Sequence, residues 1–452
     1  MSIIIIGGGN IGFFLAKQLI NEGKQVVVIE KQESRIAFLD ESLDAKVICG
    51  NGAAPRVLKD AGVADAEMVI SVTNSDEVNL LSSAIAGIES PSAKRIARVR
   101  NPEFDIEEAK LKSDLMIDML INPEREAAKA MGQVLEVPGA IDLLDFFDGS
   151  IRLVGTKVLD NSDLIGKTLK EWGTLKDVQN FLLAAVFRNE ELIVPTGDTR
   201  LEAKDVVYFI SEPEEITSAM HHFGHEIDKI KSVMINGGGF IGLNLAKTLE
   251  KRGLKVKIVE EDKGLCSMLA RGLDKSIILN ARATDQEFLL EEGVDNIDAF
   301  IATTADDENN VLSSLLAKRL GVPWTVCLTH ELSYLPLITT IGINVAINPR
   351  QLANNAILQY IRGGRVFSVS SLMDQAEIVE IEALHTSELV GNTLSKLKIP
   401  SGVLILSLWR SGKVMIPHGD TIIEAGDRVL LLTTRESISK LEKFVTVKLE
   451  YF

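Results

Sequence analysis

The sequence repeats itself once, and this duplication is the feature that most limits how the chain can fold. Residues 3–12 read IIIIGGGNIG and residues 233–242 read VMINGGGFIG, at an offset of 230 positions. The likeness persists to the far end, where PTGDTRLEAKDVVYFI at 195–210 matches PHGDTIIEAGDRVLLL at 417–432. A repeat that takes half of 452 residues is far longer than the roughly 20–50 residues of a solenoid repeat. The chain is therefore predicted to be a duplicated pair of domains.

Each copy divides into two parts of different character. The first part alternates short apolar strands with helical stretches, which predicts βαβ units in an α/β fold with a Rossmann-like, doubly wound parallel sheet. The second part has short strands around a Gly-Asp-Thr turn, which predicts a small α+β C-terminal domain. We expect Rossmann-like domains at 1–122 and 231–348, and C-terminal domains at 138–222 and 366–450. Helical stretches at Arg125–Leu135 and Gln351–Arg362 link the parts and are candidates for subunit contacts.

Composition excludes several classes of function. The net charge of −16 opposes binding to nucleic acid or to anionic lipid, because both are negatively charged. The apolar runs, such as Ile3–Ile6, are much shorter than the roughly 20 residues of a membrane span. Cys49, Cys266 and Cys327 are too sparse for a disulfide framework or a zinc site. A reducing cytosol is the expected setting.

Two glycine-rich loops carry the main functional signal. Gly7, Gly9 and Gly12 form a G-x-G-x-x-G pattern between a strand and a helix, and Gly237, Gly239 and Gly242 repeat it. The first glycine allows a tight turn, the second lets a pyrophosphate approach the backbone, and the third lets helix and strand pack closely. The N-terminus of the helix then offers free N–H groups and a positive dipole to a phosphate.

An acidic residue follows each loop at the spacing of a ribose ligand. Glu30 and Glu260 end the next apolar strand of their copies. A carboxylate about 20 residues after the loop accepts hydrogen bonds from an adenosine ribose and repels a 2′-phosphate. This favours NAD or an adenine nucleotide over NADP. The alternative is a doubly wound domain whose loop binds no ligand.

The two candidate sites differ in sequence. After the third strand the first copy has Gly50-Asn51-Gly52, and we match this segment with Asn280-Ala281-Arg282, in which an arginine intrudes. Asn51 is a candidate for contact with the adenine or the ribose. Arg98 and Arg100 are candidate phosphate donors, whereas the second copy has Leu328 and Thr329 in that region. The alternative for the two arginines is a solvated strand edge.

No catalytic constellation accompanies the loops. The sequence has no Ser-His-Asp, H-E-x-x-H or C-x-x-C pattern, and His330, His385 and His418 are isolated. For His221, His222 and His225 we favour a solvated linker over a metal site. Asp76-Glu77 and Asp307-Glu308 follow strand ends, where they are expected to cap helices rather than to bind a metal.

The motifs together resemble those of a known family. The supporting runs are GKTL and GNTL, P-x-GDT-x-x-E-A-x-D, PRVLKDAG, SVTNSDEVN, RIARVRNPEF and LSSLLAKRLG. They are similar to the RCK family (KTN plus TrkA-C domains), in the tandem form found in TrkA-type regulatory subunits of bacterial Trk potassium uptake. The resemblance implies a non-enzymatic protein that binds NAD(H) and ATP or ADP. It also implies a homo-oligomer, from dimer to tetrameric ring, on the cytoplasmic face of a TrkH- or TrkG-like potassium channel subunit.

The resemblance also implies which residues bind the nucleotide. In the first copy they are Gly7, Gly8, Gly9, Asn10, Ile11, Gly12, Glu30, Asn51, Thr73, Asn74 and Arg98. In the second copy they are Gly237, Gly238, Gly239, Phe240, Ile241, Gly242, Glu260 and Thr304. The family often has Gly-Asp where this chain has Ala281-Arg282, which weakens the expectation of adenosine binding in the second copy. Asn51 replaces the acid in the first, a milder change.

Two other functions fit part of the sequence. A nucleotide-sensing regulator of another cation channel or exchanger would carry the same loops. A soluble NAD-dependent oxidoreductase would also carry them, but it needs a paired acid and base, and the sequence offers none beside the loops.

Overall fold

The computed structural model describes residues 2–21, 23–101, 104, 108–172, 180–189, 191–225, 229–361, 366–373 and 375–445. The chain forms two compact units. One consists of Met1–Ala127 with Asn348–Ile361, and the other of Ala128–Ile347 with Arg362–Phe452. The first unit is therefore discontinuous along the chain.

The first unit is built on a six-stranded sheet. Its strands are β1 Ser2–Ile6, β2 Gln25–Glu30, β3 Lys46–Cys49, β4 Ala66–Ser71, β5 Lys94–Arg98 and β6 Met119–Ile121. All neighbours are parallel, in the order β3-β2-β1-β4-β5-β6. The helices are α1 Asn10–Asn21, α2 Glu33–Ser42, α3 Pro55–Asp60, α4 Asp76–Glu89, α5 Glu108–Asp114 and the first turn of α6 Pro123–Val134. The chain reverses direction across the sheet between β1 and β4, which opens a crevice at the carboxyl ends of these strands.

The first C-terminal domain lies in the second unit. Its strands are β7 Ala140–Phe146, β8 Ile151–Lys157, β9 Phe181–Arg188, β10 Glu191–Ile193 and β11 Val206–Ser211, with helices α7 Leu169–Trp172 and α8 Ile216–His222. They form an antiparallel sheet in the order β10-β9-β11-β8-β7.

The second Rossmann-like sheet repeats the first. Its strands are β12 Ser232–Asn236, β13 Lys255–Glu260, β14 Ile277–Asn280, β15 Ala299–Ala302, β16 Trp324–Leu328 and β17 Val345–Ile347. They are parallel in the order β14-β13-β12-β15-β16-β17. The helices are α9 Phe240–Lys251, α10 Lys263–Gly272, α11 Gln286–Glu291, α12 Asp307–Arg319, α13 Leu335–Thr340 and α14 Pro349–Ile361.

The second C-terminal domain also has an antiparallel sheet. Its strands are β18 Val366–Leu372, β19 Ala376–Glu382, β20 Val403–Arg410, β21 Lys413–Met415 and β22 Arg428–Thr434, followed by α15 Ile438–Val445. The order is β18-β19-β22-β20-β21. Two parallel and two antiparallel sheets confirm the predicted fold class, whereas the domain boundaries drawn from the sequence remain predictions.

The two linking helices contact parts of the protein that the sequence alone does not predict. Ala353 and Ile357 of α14 are fully buried in the first unit, in one cluster with Leu15 of α1 and Val28 of β2. At the end of α6, the Gly132 carbonyl accepts a hydrogen bond of 2.8 Å from Arg252 Nη1, which belongs to the second Rossmann-like domain. Helix α14 of the second copy thus completes the core of the first Rossmann-like domain, and α6 of the first copy makes a hydrogen bond to the second Rossmann-like domain.

The two C-terminal domains share a core within the second unit. Phe146 and Tyr208 of the first domain pack in one buried cluster with Leu406 and Leu430 of the second. The Glu380 carboxylate accepts a hydrogen bond of 3.2 Å from the N–H of Phe147. Arg428 Nη1 lies 2.6 Å from Asp148 Oδ2 at the same junction.

The aspartate that ends each repeated segment P-x-GDT-x-x-E-A-x-D has a structural role. Arg188 lies 2.9 Å from one Asp205 oxygen and 2.8 Å from the other, and it also donates to the Arg200 carbonyl. In the second copy Arg410 lies 2.7 and 2.6 Å from the two oxygens of Asp427. The last aspartate of the repeated segment P-x-GDT-x-x-E-A-x-D is therefore a buried carboxylate that pairs with a partly exposed arginine in each C-terminal domain. None of the helices in the described part of the chain has the length and apolar character of a membrane span.

We predict that Arg188→Leu lowers the free energy of unfolding by about 3 kcal/mol, because it leaves a buried carboxylate without its cation. The Asp205 side chain is only 1% exposed. Lys170→Ala is the matched control, since Lys170 pairs with Asp198 on the surface of the same domain, with side chains 69% and 82% exposed. It should change stability by less than about 1 kcal/mol. Urea unfolding followed by circular dichroism measures both, and equal effects would contradict the prediction.

Candidate functional site

The first glycine-rich loop joins β1 to α1 at the mouth of the crevice. Gly7 has a φ of 104°, which a side chain would strain, and its N–H donates to the Ile29 carbonyl at 2.8 Å. A Cβ on Gly12 would lie 1.9 Å from the Gly7 carbonyl oxygen, so helix and loop touch there. A Cβ on Gly9 would meet no atom within 4 Å. The loop is therefore packed tightly at both ends and faces open space at Gly9.

The acid at the end of β2 is bound to the loop. One oxygen of Glu30 accepts from the N–H of Gly8 at 2.7 Å, and the other accepts from Lys31 and Gln32 at 2.7 and 3.0 Å. In the second copy Glu260 accepts from Gly238 at 2.7 Å. Each carboxylate oxygen has two lone pairs, so these acids keep acceptor capacity for a ligand at the rim of the crevice.

A buried asparagine that the sequence analysis missed organises the next loop. Asn79 Oδ1 accepts from Thr73 N and Oγ1 at 2.8 and 2.7 Å, and Asn79 Nδ2 donates to the carbonyls of Thr73 and Arg98. Asn310 makes the same bonds to Thr304 and to the Leu328 carbonyl. The amide thus ties the ends of β4 and β5 together. The identical spacing from threonine to asparagine in both copies was the available signal.

The position of the third strand corrects the match made from the sequence. Cys49 pairs with Glu30, and Asn280 pairs with Glu260. Asn280 therefore corresponds to Cys49, not to Gly50, because the second copy has one extra residue before β14. Asn51 corresponds to Arg282, and Gly52 to Ala283. A Cβ on Gly52 would lie 2.1 Å from Ile6 Cγ2, and the second copy has the different side chain of Asn236 at the position of Ile6.

The arginine of the second loop does not intrude into the crevice. Arg282 Nε lies 3.0 Å from Glu261 Oε2, and its side chain is 78% exposed. Asn280 Nδ2 donates to the carbonyls of Glu260 and Glu261. Residues Glu261, Asp262, Asn280, Ala281 and Arg282 line an open depression of about 490 Å³. In the first copy Asn51 Oδ1 accepts only from Ala53 N, at 3.0 Å, among the described contacts.

The two candidate phosphate donors differ from each other. The side chain of Arg98 is only 11% exposed and lies 3.8 Å from Glu124 Oε1, and its Nε is buried without a hydrogen-bond partner. Burial lowers the pKa of the Arg98 guanidinium, Arg100 and Arg350 act in the same direction, and Glu124 opposes them. An arginine still remains charged. The alternative that Arg98 lies on a solvated strand edge is therefore wrong.

Arg100 has a structural role at the loop surface. Its Nη2 donates to the Asn74 carbonyl at 2.7 Å, and its backbone N–H donates to Asp76 Oδ2 at 2.9 Å. The helix caps are Ser75 and Asp306, whose side chains accept from Val78 N and Asn309 N. Asp76 and Asp307 lie in the first turn of their helices and accept hydrogen bonds from the N–H groups of Arg100 and His330. The expectation that they cap the helices is therefore wrong for the N-cap position itself, although both acids do lie at the positive end of the helix dipole.

Three histidines lie in surroundings that differ from those expected from the sequence. His330 is not isolated, since its Nδ1 lies 2.9 Å from Asp307 Oδ1. His222 Nδ1 lies 3.1 Å from Asp163, and His225 Nε2 lies 2.9 Å from Thr156 Oγ1. These two belong to the first C-terminal domain, so they are not a solvated linker. The described residues contain no cluster of three or more His, Cys, Asp or Glu suited to a metal ion.

The crevice of the first unit brings most of the predicted residues together. Asn10 and Ile11 begin α1, beside the loop, and Phe240 and Ile241 begin α9 in the same way. Glu30, Asn51, Thr73, Asn74 and Arg98 follow or end consecutive strands at one edge of the sheet. Their binding of a nucleotide remains a prediction.

Comparison with known proteins identifies the family. The TrkA-N domain model matches residues 3–123 and 233–349, and the TrkA-C domain model matches 153–224 and 378–446. The Trk system potassium uptake protein TrkA of Azorhizobium caulinodans is 34% identical, with 100% of both chains covered. The chain belongs to the TrkA family. The protein of the same name from Haemophilus influenzae is 34% identical over 98% of each chain. These relatives are named as potassium uptake proteins and not as enzymes.

Solved structures show the same fold at lower identity. The GsuK RCK domain has a TM-score of 0.61 and 18% identity, and the comparison covers 98% of this chain and 95% of that one. The GsuK channel bound to NAD also has a TM-score of 0.61 and 18% identity, over 98% of this chain and 79% of that one. This similarity shows that the fold is shared with these structures.

We predict that Gly12→Ala destabilises the first unit by about 3 kcal/mol, because its methyl group cannot fit against the Gly7 carbonyl. Gly242→Ala should do the same in the second copy, where a Cβ would lie 2.0 Å from Gly237 O. Gly9→Ala is the control, with an expected loss below about 1 kcal/mol. Chemical denaturation of the three variants measures the differences. A Gly9→Ala variant as unstable as Gly12→Ala would refute the close-contact explanation.

Proposed function

We propose that the chain is the regulatory subunit of a Trk-type potassium uptake system. In this proposal it binds NAD(H) and ATP or ADP, and the bound nucleotide controls potassium flux through a TrkH- or TrkG-like membrane subunit. Family membership and full-length similarity to Trk system potassium uptake proteins support the potassium system. The main support for nucleotide binding is the hydrogen bond between the glycine-rich loop, which is open at Gly9, and the Glu30 carboxylate.

The residues of the first crevice fit an adenine nucleotide. Glu30 would accept hydrogen bonds from the adenosine ribose. The phosphates would lie over Gly9, where the loop is open, against the free N–H groups that begin α1. Arg98 would supply a fixed positive charge, and its unpartnered Nε is a donor that a phosphate or a ribose hydroxyl can satisfy.

Control of flux requires that the nucleotide binds two conformations with different affinity. ATP, ADP and NAD(H) share the adenosine that Glu30 would bind, but they differ in the charge and groups presented to Arg98. The first turn of α14, with Arg350, acts electrostatically on Arg98 within the first unit. Because α14 continues directly from β17, a shift of this helix would be transmitted along the chain to the second Rossmann-like sheet.

We further propose that copies of the chain assemble into a homo-oligomer, from a dimer to a tetrameric ring, on the cytoplasmic face of the membrane. Helix α4 exposes Leu81 and Ile88, whose side chains are 52% and 72% accessible. Such apolar side chains are suited to burial between subunits. The negative net charge favours docking on the channel protein over adsorption to anionic lipid.

We predict that Glu30→Gln weakens binding of ADP and NADH at least about tenfold, since it replaces a charged acceptor for the ribose by a neutral amide. Glu260→Gln is the matched variant in the second copy and should have a smaller effect. Isothermal titration calorimetry on the full-length protein measures both. A wild-type protein that binds none of NADH, ATP and ADP would remove the nucleotide from the proposal.

We predict that the chain, expressed with a TrkH- or TrkG-like subunit, restores potassium uptake in cells that lack their own Trk regulatory subunit. Gly9→Val should abolish the response to nucleotide while the two proteins still copurify, because the valine fills the open side of the loop. Uptake is measured as rubidium-86 influx. Uptake that is the same with and without the chain would contradict the proposed partner.

A further inference from the structure

We infer that Arg35 is a positioning residue for the first glycine-rich loop, and that it fixes the Gly8–Gly9 peptide in the orientation that receives the nucleotide. The second copy lacks this device. The inference rests on the proposed nucleotide binding, but its test separates the two.

Arg35 holds a loop carbonyl that accepts no described backbone hydrogen bond. Its Nε donates to the Gly8 carbonyl oxygen at 2.8 Å, while Glu30 binds the Gly8 N–H at 2.7 Å on the other side of the residue. Gly7 N–H is bound to the Ile29 carbonyl. Three consecutive peptide groups are therefore each held by at least one hydrogen bond.

Because a peptide group is planar, the hydrogen bond from Arg35 to the Gly8 carbonyl also fixes the direction of the Gly9 N–H. In a trans peptide the C=O of Gly8 and the N–H of Gly9 point in opposite directions within one plane. A guanidinium that holds the carbonyl therefore turns the Gly9 N–H away from Arg35. Gly9 is the residue whose Cβ direction is open. Three glycines in a row are costly to order, so a loop ordered before binding should bind its ligand more tightly.

Two aromatic rings hold Arg35 in place. Its Cζ lies 4.5 Å from the centre of the Phe38 ring and 5.8 Å from that of Phe13. The rings are 5.1 Å apart, and both helices that carry them, α1 and α2, flank the loop. In the described part of the chain no carboxylate forms a salt bridge with Arg35. Stacking on aromatic faces and a single backbone acceptor therefore set its orientation.

The second copy has the glycine-rich loop and the acid, but it has no counterpart of Arg35 and its two aromatic neighbours. Leu243, Leu265 and Met268 occupy the positions of Phe13, Arg35 and Phe38. Gly238 still donates to Glu260 at 2.7 Å, but no described side chain donates to the Gly238 carbonyl. Within the glycine-rich loop the two copies thus differ in whether a side chain holds the second glycine's carbonyl, and a substitution at Arg35 removes this contact from the first copy.

The test is Arg35→Leu in the full-length protein, which installs the residue of the second copy. We expect about tenfold weaker binding of ADP and of NADH, from the loss of preorganisation at one hydrogen-bonded peptide, with an unchanged melting temperature of the ligand-free protein. Hydrogen–deuterium exchange of residues 7–12 should be faster. Arg35→Lys, which keeps a donor and a charge without the stacking plane, should restore part of the affinity.

Arg56→Leu is the control for charge, since Arg56 is on the same unit with a side chain 94% exposed, and it should bind as the wild type does. Phe38→Met, which weakens the stacking but keeps Arg35, should show a smaller loss in the same direction. Wild-type binding with an unaffected Arg35→Leu variant overturns the inference and leaves the proposed function standing. Equal losses in Arg35→Leu and Arg56→Leu also overturn it, because long-range charge would then explain both. Absence of binding by the wild type defeats the proposed function itself.

Discussion

The hydrogen bond from a loop glycine to the acid of the neighbouring strand is the contact on which both crevices depend. It measures 2.7 Å from Gly8 to Glu30 and 2.7 Å from Gly238 to Glu260. It forms only because the preceding glycine adopts a φ of 104° in each copy, which turns the next N–H toward the adjacent strand. The acid, the loop and the first turn of the helix are then fixed relative to each other, and the crevice acquires its shape.

On this shared frame the two copies have diverged in how they use charge. In the second copy the polar side chains near the crevice pair with one another, Arg282 with Glu261 and His330 with Asp307. In the first copy Leu328 is replaced by Arg98, which is buried and keeps a donor without a partner. The first crevice therefore has a guanidinium with an unused donor that suits an anion, whereas the second copy has the apolar Leu328 at that strand position.

Fold and loops could be predicted because their signals are local in sequence. The strand, the three glycines and the acid lie within thirty residues of the start, and the repeat supplied each signal twice. Asn79 could not be recognised in this way, because its importance depends on carbonyls brought together from β4 and β5. The match of Asn51 with Arg282 depends on strand pairing, which a one-residue insertion shifts without a trace in composition. The sheet against which α14 packs could not be predicted either, because the apolar face of a helix does not specify which sheet covers it.

The position of α14 also bears on how the protein is made. The core of the first Rossmann-like domain contains Ile357 and Leu358 together with Leu15 and Val28, so it remains open until the ribosome has passed residue 361. For most of translation the first domain exposes an apolar face, and nascent chains with such a face are prone to aggregate or to be bound by chaperones. A first copy made without the second would therefore lack part of its own core, because that core includes a helix from the second half of the chain.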